Sequence, residues 1–541
     1  METVTVRWKR FLSTFGARPC LLSCLLGGLL FGYHLAVFST VTTFRSFQDW
    51  FGLWPSGEQV LLGSYFVGAF VGCLYQRVLP FLAHGAGTAA WRRYLWLRWS
   101  SVFFCLGSGL PFLIKRERML TGRFQMGAFL VLLIHRLLIG IGAGIVNVLG
   151  PALCLEVAPS TSRGAFVFLY QLAITIGILM ANLVNLATGH EDVHRQVDPV
   201  AGGAGIDMRG NFLRPLRYPL VPAILMCIGL LRYQSSMGVS AYRDATSADM
   251  LETGKPMSQR KEREHSMVAS ARALRPDAAE AGHSFNVISR PSLQNESLSL
   301  KDVESFAMYA VLARGSSPTA RSRASVWLLL RDPRIQICMI LQLLQQLTGI
   351  NVVLVYGVQI LEQVQSSAMG SSRRLARLSG PLYGAVLLSV MNVIATLVAV
   401  GIIDRTCRRK LYLFSTPVLA ACHLALARAT RAENGSSSVA FTGFLALMLF
   451  VAVFAVSHGP LAVLVANELF SPEARASANS IGMVVNAVAT TAVSIGFPLL
   501  QRELFGIAGT FLFFALILMG GEYWLWRYLP ETRQPTSADS S

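Results

Sequence analysis

Charge is what this 541-residue sequence has least of. Charged residues make up 14% of it, against about 25% in an average soluble protein. Acidic groups are the scarcest, at 29 Asp and Glu against 47 Lys and Arg. With 53% hydrophobic residues and a mean hydropathy of +0.50, the chain could not shield its apolar surface in water. That excludes a soluble multidomain protein and places the chain in a bilayer. The formal charge of +18 does not point to nucleic acid, because 41 of the 47 basic residues are arginines scattered between apolar blocks. That pattern fits lipid headgroups and salt-bridged loops, so membrane lipids are expected partners and no nucleic acid is. Catalytic signatures are missing too. There is no P-loop, no dinucleotide fingerprint, no HExxH and no local Ser, His and Asp spacing that suggests a triad. No enzyme, catalytic residue, metal or cofactor is expected.

Cysteine offers no framework either. The nine cysteines stand at 20, 24, 73, 105, 154, 227, 338, 407 and 422, all but Cys407 within or at the ends of apolar stretches. They read as small hydrophobes, and their spacing fits neither a zinc site nor a disulfide scaffold. The first apolar run, 20–44, is longer than a signal-peptide core and shows no small-residue cleavage site, so no cleavable leader is expected.

What the sequence does have is long apolar stretches. A spanning helix needs about 20 apolar residues, and twelve stretches qualify: 20–44, 58–82, 92–114, 127–155, 164–188, 215–233, 334–362, 379–403, 410–428, 439–467, 477–501 and 505–529. A polar segment, 234–325, divides them into six and six, and its composition predicts a disordered or partly helical linker. The expected organisation is a short N-terminal segment 1–19, a bundle 20–233, the linker 234–325, a second bundle 326–529 and a tail 530–541. The halves repeat each other. Gly32-Tyr33-His34 interrupts the first stretch with polar residues and Gly349-Ile350-Asn351 the seventh, 317 positions later; Arg92-Arg93 and Arg408-Arg409 are 316 apart. Glu156 with Arg163 recurs as Glu468 with Arg475 at offset 312. The fold class predicted is an all-α membrane protein, twelve helices in two pseudo-symmetric six-helix bundles. Duplicated bundles of this kind characterise secondary transporters, with the site between the halves. Orientation is weakly signalled: with cytoplasmic termini, only the linker flanks favour the positive-inside rule. That topology puts the sequon Asn434-Gly435-Ser436 outside and Asn295-Glu296-Ser297 inside.

The polar residues inside these stretches carry the chemistry. Gln342, Gln345 and Gln346 share a helical face, and Gln171, Thr175, Ile178, Asn182 and Asn185 form one stripe. Asn392 is the isolated polar residue of the eighth stretch. Amides in a spanning helix must face a cavity or another helix, and their paired donors and acceptors suit a neutral polyhydroxylated ligand. They could also simply bond helices together, at about 0.6 kcal/mol per contact. Gly28/Gly32 and Gly140/Gly144 give small-xxx-small faces for close helix packing. Arg136 lies on the Gly140/Gly144 face, and His34 is the group expected beside it, in a bonding role or in proton transfer. The charges Arg92, Arg93, Glu156, Arg163, Asp404, Arg408, Arg409, Glu468 and Arg475 fall on one side of the membrane. They could link the halves as a gate or merely neutralise one another at the headgroups.

These residues resemble the sugar porter branch of the major facilitator superfamily over almost the whole chain apart from the linker. The matching segments are Gly27-Gly28-Leu29-Leu30-Phe31-Gly32-Tyr33, His135-Arg136 through Glu156-Val157-Ala158-Pro159, Arg163-Gly164 and Gln171 to Leu179. Gln345-Gln346-Leu347-Thr348-Gly349-Ile350-Asn351 is the most specific. Asp404-Arg405, Arg408-Arg409, Glu468-Leu469-Phe470 and Pro530-Glu531-Thr532 complete the set. The resemblance implies cytoplasmic termini, a plasma-membrane location, a monomeric transport unit and movement of a hexose or related polyol by alternating access. Gln171, Ile178, Gln345, Gln346, Asn351 and Asn392 match the family's sugar-touching positions. Facilitative passage is the leading expectation. A proton-coupled symporter using His34 and Arg136, or a non-transporting sugar sensor acting through the linker, are the alternatives. Ala455, Val463, Ala487 and Thr490 depart from the family's usual Glu, Trp, Trp and Asn. His34 stands where coupled members carry aspartate and facilitative ones asparagine, and Cys407 replaces a loop glycine.

Overall fold

In hydrocarbon a chain must satisfy its own backbone hydrogen bonds, so apolar stretches of this length can only become helices. The structure, a computed structural model, describes residues 19–42, 47, 55–82, 89–114, 122–158, 163–194, 213–232, 332–366, 381–431, 437–470 and 472–533. The predicted linker 234–325 and segment 1–18 lie outside the described residues, as does Asn434. The N-terminal half comprises α1 (Pro19–Val41), α2 (Pro55–Leu82), α3 (Ala89–Gly109), α4 (Gly122–Val157), α5 (Arg163–His194) and α6, which spans Leu213–Arg232 with a turn at 218–219. The C-terminal half comprises α7 (Pro333–Leu347), α8 (Ile350–Ser366), α9 (Pro381–Ile402), α10 (Arg408–Arg431), α11 (Ser437–Val456), α12 (His458–Glu468), α13 (Pro472–Leu499) and α14 (Gly506–Tyr528). The seventh apolar stretch is therefore the pair α7 and α8, and the tenth the pair α11 and α12. Eleven spans among the described residues are long and apolar enough to cross a membrane. The twelfth is α3, whose 21 residues are long enough but carry Arg92, Arg93 and Arg98.

Helix pairing follows the duplication seen in the sequence. α1 packs on α5 and α2 on α4, and in the other half α7 packs on α13 and α9 on α11. The halves meet through α5 against α9 and α2 against α13, again a symmetric pair. Glycine allows the closest approaches. A Cβ on Gly32 would lie 2.0 Å from the Ile174 carbonyl and one on Gly177 2.0 Å from that of Leu29, so α1 and α5 touch backbone to backbone. Large apolar side chains such as Phe414 (76% exposed) and Leu516 (73%) point outward, which is the lipid-facing surface such a bundle requires. A buried apolar cluster joins Leu155, Val167 and Phe168 of the first half to Leu341, Ile403, Tyr412 and Leu461 of the second.

The seventh stretch is cut for a local reason. Asp332 caps α7 by accepting from the Arg334 N–H at 2.8 Å, with Pro333 at the first helical position. At the other end Gly349 adopts φ +78°, the left-handed conformation that ends helices, and its N–H bonds to the Gln346 carbonyl at 3.0 Å. Gly32, its counterpart in the duplication, does not break α1, which stays helical through Val41.

Candidate functional site

Between the halves lies a cavity of about 110 Å³. Its walls include all six of the residues singled out for sugar contact: Gln171 and Ile178 from α5, Gln345 and Gln346 from α7, Asn351 from α8 and Asn392 from α9. Asn147 of α4 and Asn486 and Thr490 of α13 join them.

The C-terminal wall is a chain of amides. Asn486 Nδ2 donates to Gln345 Oε1 at 2.6 Å and to Gln342 Oε1 at 2.9 Å, and Gln346 Nε2 donates to Gln345 Oε1 at 3.2 Å. Asn351 Nδ2 donates to Gln346 Oε1, and Gln345 Nε2 to the Gly459 carbonyl. Each amide orients the next, so the wall is preorganised. Gln342 shares the helical face but not the cavity: it is fully buried behind Gln345 and donates to the Ala462 carbonyl at 3.4 Å. Gln171 and Asn147, facing this wall, and Asn392 of α9 make no side-chain hydrogen bonds among the described residues, which leaves their donors and acceptors to a ligand.

The α5 stripe does not act as one surface. Gln171 and Ile178 line the cavity, but Thr175 donates back to the Leu172 carbonyl at 2.9 Å. Asn182 donates to Ser389 Oγ at 2.6 Å across the halves, and Asn185 to the Val37 carbonyl at 3.1 Å. A straight stripe on a rod meets several different neighbours along its length, and here it meets the cavity, α9 and α1 in turn.

Arg136 is buried in the N-terminal half, 1% exposed, between the rings of Phe38 and Tyr65 at 4.3 and 4.6 Å. Its guanidinium donates to the carbonyls of His34 at 2.9 Å and Leu61 at 3.3 Å. His34 is thus beside Arg136 as expected, but through its backbone. Its ring turns away, Nε2 meeting Ser108 Oγ at 3.4 Å and the ring stacking on Phe104. Neither residue lines the cavity.

On the side where α4, α9 and α12 end, one charge reaches across the halves, and it meets backbone and not an opposite charge among the described residues. Asp404 accepts from the Gly164 and Ala165 N–H groups at 3.0 and 3.4 Å, capping α5 from the other bundle. Arg408 Nη2 lies 3.4 Å from Glu468 and 3.9 Å from Asp404. Arg409, expected in the same network, instead donates to the Trp526 carbonyl at 2.6 Å within its own half. Arg163 is exposed at the start of α5. The side chains of Arg92, Arg93, Glu156 and Arg475 lie outside the described residues.

Several residues carry contacts that sequence reasoning did not assign them, Glu531 and Thr532 of the matched Pro530-Glu531-Thr532 segment among them. Glu531 accepts from the N–H groups of Arg408 and Arg409 at 2.9 and 3.1 Å, and Thr532 donates to Glu468 at 2.5 Å. Asn486, the branch point of the amide wall, had a signal: Asn479, Asn486 and Thr490 form a polar stripe on α13, the duplication mate of α5. Of the departures from the family pattern, Val463, Ala487 and Thr490 line the cavity, whereas Ala455 is replaced there by its neighbour Phe454. Apart from Phe454, the aromatic rings among the described lining residues come from the first half, in Phe31, Tyr65, Phe66 and Tyr170.

Two duplicated helical bundles around an uncharged, amide-lined cavity define a membrane transport protein and not an enzyme. The chain belongs to the family described as Sugar (and other) transporter, which it matches over residues 20–279 and 286–538. It is a multi-pass integral membrane protein. It is 27% identical to Sugar transport protein 6 of Arabidopsis thaliana over 95% of this chain and 88% of that one. It is 28% identical to H(+)/hexose cotransporter 2 of Parachlorella kessleri over 94% and 82%. Among solved structures, the major facilitator proton:xylose symporter XylE bound to 6-bromo-6-deoxy-D-glucose superposes with a TM-score of 0.61 at 21% identity, over 95% of this chain and 96% of that one. The fold is that of the major facilitator superfamily.

Proposed function

We propose that the protein carries a neutral hexose or related polyol across the plasma membrane by alternating access, as a monomeric unit surrounded by lipid. The observation that carries this reading is the cavity wall itself. It offers amide donors and acceptors from both halves and, among the described residues, contains no charged side chain. A sugar entering it sheds water, and each hydroxyl left unpaired would cost about 1–3 kcal/mol, so a preoriented chain of carboxamides selects for a polyhydroxylated solute. The rings of Tyr65, Phe66 and Tyr170 supply an apolar face for the pyranose on the opposite wall.

The bonds of Asp404 to the Gly164 and Ala165 N–H groups and the Asn182–Ser389 bond join the halves on opposite sides of the cavity. They are the contacts that would break in turn as each side opens. His34 faces Ser108 and Phe104 and not the sugar site, which supports passage without coupling at that position.

Substituting Gln345→Ala or Gln346→Ala is expected to cut sugar exchange in liposomes about tenfold or more, the loss of one or two hydrogen bonds, with membrane insertion intact. Unchanged exchange in both variants moves the site elsewhere.

A further inference from the structure

A second, smaller cavity of about 20 Å³ adjoins the first, and Leu354 and Asn392 line both. Among its walls are Ser39 of α1, Asn182 of α5, Leu354 and Gly357 of α8, and Ser389 and Asn392 of α9. Space of that volume admits about one water-sized group.

One wall of this pocket holds an acceptor with nothing to accept. Asn182 Nδ2 donates to Ser389 Oγ at 2.6 Å and to the Ala385 carbonyl at 3.4 Å, and Ser389 Oγ donates its own proton to that same carbonyl at 2.7 Å. Towards Asn182, therefore, Ser389 presents a lone pair, which fixes the amide with Nδ2 on the α9 side and Oδ1 turned away. Asn182 is 8% exposed, and its Oδ1 is buried without a hydrogen-bond partner among the described residues. A buried acceptor left unpaired is costly, so the group that fits this pocket is a donor.

Gly357 keeps the space clear. It is buried, yet a Cβ built on it would meet nothing within 4 Å. At a buried position that open direction is interior space, and the void that Gly357 lines is this pocket.

A pyranose carries one group suited to such a pocket. Its ring hydroxyls stand directly on the ring and stay with the amides of the main cavity. The exocyclic hydroxymethyl holds its hydroxyl one carbon further out, on a rotatable bond, and can pass between Leu354 and Asn392 while the ring remains in the larger space.

We propose that the small pocket receives the primary hydroxyl of the sugar, with Asn182 Oδ1 as its acceptor, and that this contact makes the protein select hexopyranoses over pentopyranoses. The inference rests on the reading of the main cavity as the sugar site. Asn182 and Ser389 belong to opposite halves, so the pocket is complete while their bond holds, and a seated hydroxyl favours that state. A site built to bond a hydroxyl discriminates against the analogue that lacks it, because the buried partner is then left unpaired.

The test uses the full chain in liposomes with three radiolabelled sugars that differ at this group: D-glucose, 6-deoxy-D-glucose, which keeps the carbon and lacks the hydroxyl, and D-xylose, which lacks both. The wild type is expected to take up D-glucose about tenfold more efficiently than either of the others. Asn182→Leu keeps the size and removes the acceptor; Gly357→Ala puts a methyl group into the pocket. Each is expected to bring D-glucose down to the level of D-xylose. Thermal stability is measured for both variants, and Gly357→Ala, which meets no neighbour, decides the matter should Asn182→Leu fail to fold. Equal uptake of the three sugars by the wild type overturns the proposal and leaves the sugar site standing. A D-glucose preference kept in either folded variant also overturns it. So does loss of all three sugars in proportion, which would assign Asn182 to joining the halves alone. Uptake of none of the three by the wild type overturns the sugar site itself, and this inference with it.

Discussion

In the N-terminal half the first and fourth apolar stretches run past the cavity as unbroken helices, α1 and α4, whereas their counterparts in the C-terminal half are cut in two. The seventh breaks at Gly349 with φ +78° and the tenth at Ser457, where Pro460 withholds the N–H that would bond the Val456 carbonyl. The polar content differs in the same sense. The N-terminal half buries a guanidinium held by two carbonyls and two aromatic rings, and its helices meet through glycine at backbone distance. The C-terminal half buries amides bonded to amides, with freed backbone carbonyls taken up by side chains; His423 Nε2, for instance, meets the Thr348 carbonyl at 2.9 Å. A half of unbroken helices and a half with interrupted ones therefore face each other across one cavity, and in the second the breaks at Gly349 and Ser457 adjoin the amide wall that bonds to itself.

The contrast can be broken by filling the glycine contacts of the rigid half. A Cβ at Gly144 would lie 2.0 Å from the Ala69 carbonyl, so Gly144→Val is expected to lose about 3 kcal/mol or more, read as loss of monodisperse protein and a lower Tm. Gly401→Ala, in the other half with nothing nearby, is expected to leave Tm unchanged. Next in size is Asn486→Ala, which unhooks Gln342 and Gln345 together. Sugar affinity should fall by about 2 kcal/mol with Tm little altered, and an unchanged affinity would show the amide wall to be structural only. Gly349→Ala tests the articulation itself. The left-handed residue then costs about 1–2 kcal/mol, expected as slower exchange at near-normal affinity. Smallest of all, His34→Gln is expected to leave the pH profile of uptake where it was. A changed profile would make the N-terminal half an active partner in coupling.

Much of this was legible in the sequence because bilayer physics leaves few choices. Twelve apolar stretches must be helices, and three residue pairs at nearly one offset announce the duplication. The family resemblance put Gln171, Ile178, Gln345, Gln346, Asn351 and Asn392 in one site, and the fold brings them to one cavity. What misled was periodicity read as a single surface. Gln342 shares a face with Gln345 yet lies behind it, and Asn182 and Asn185 leave the stripe for other helices. Gly32 and Gly349 occupy matching places, but only Gly349 breaks its helix. Gly32 instead presses on Ile174, so the same residue type serves packing in one half and backbone conformation in the other.

Composition and spacing were enough to establish a duplicated membrane bundle with uncharged polar groups inside it, since hydrogen-bond satisfaction in lipid dictates both helix and burial. Tertiary structure alone decided which amide bonds which, that Arg136 holds carbonyls and not a carboxylate, and that His458 meets the hydroxyls of Ser415, Thr416 and Ser457. Most of those partners are far apart in sequence and on different helices. Their meeting depends on helix rotation and on where two spans break, which only the packing of the whole bundle sets.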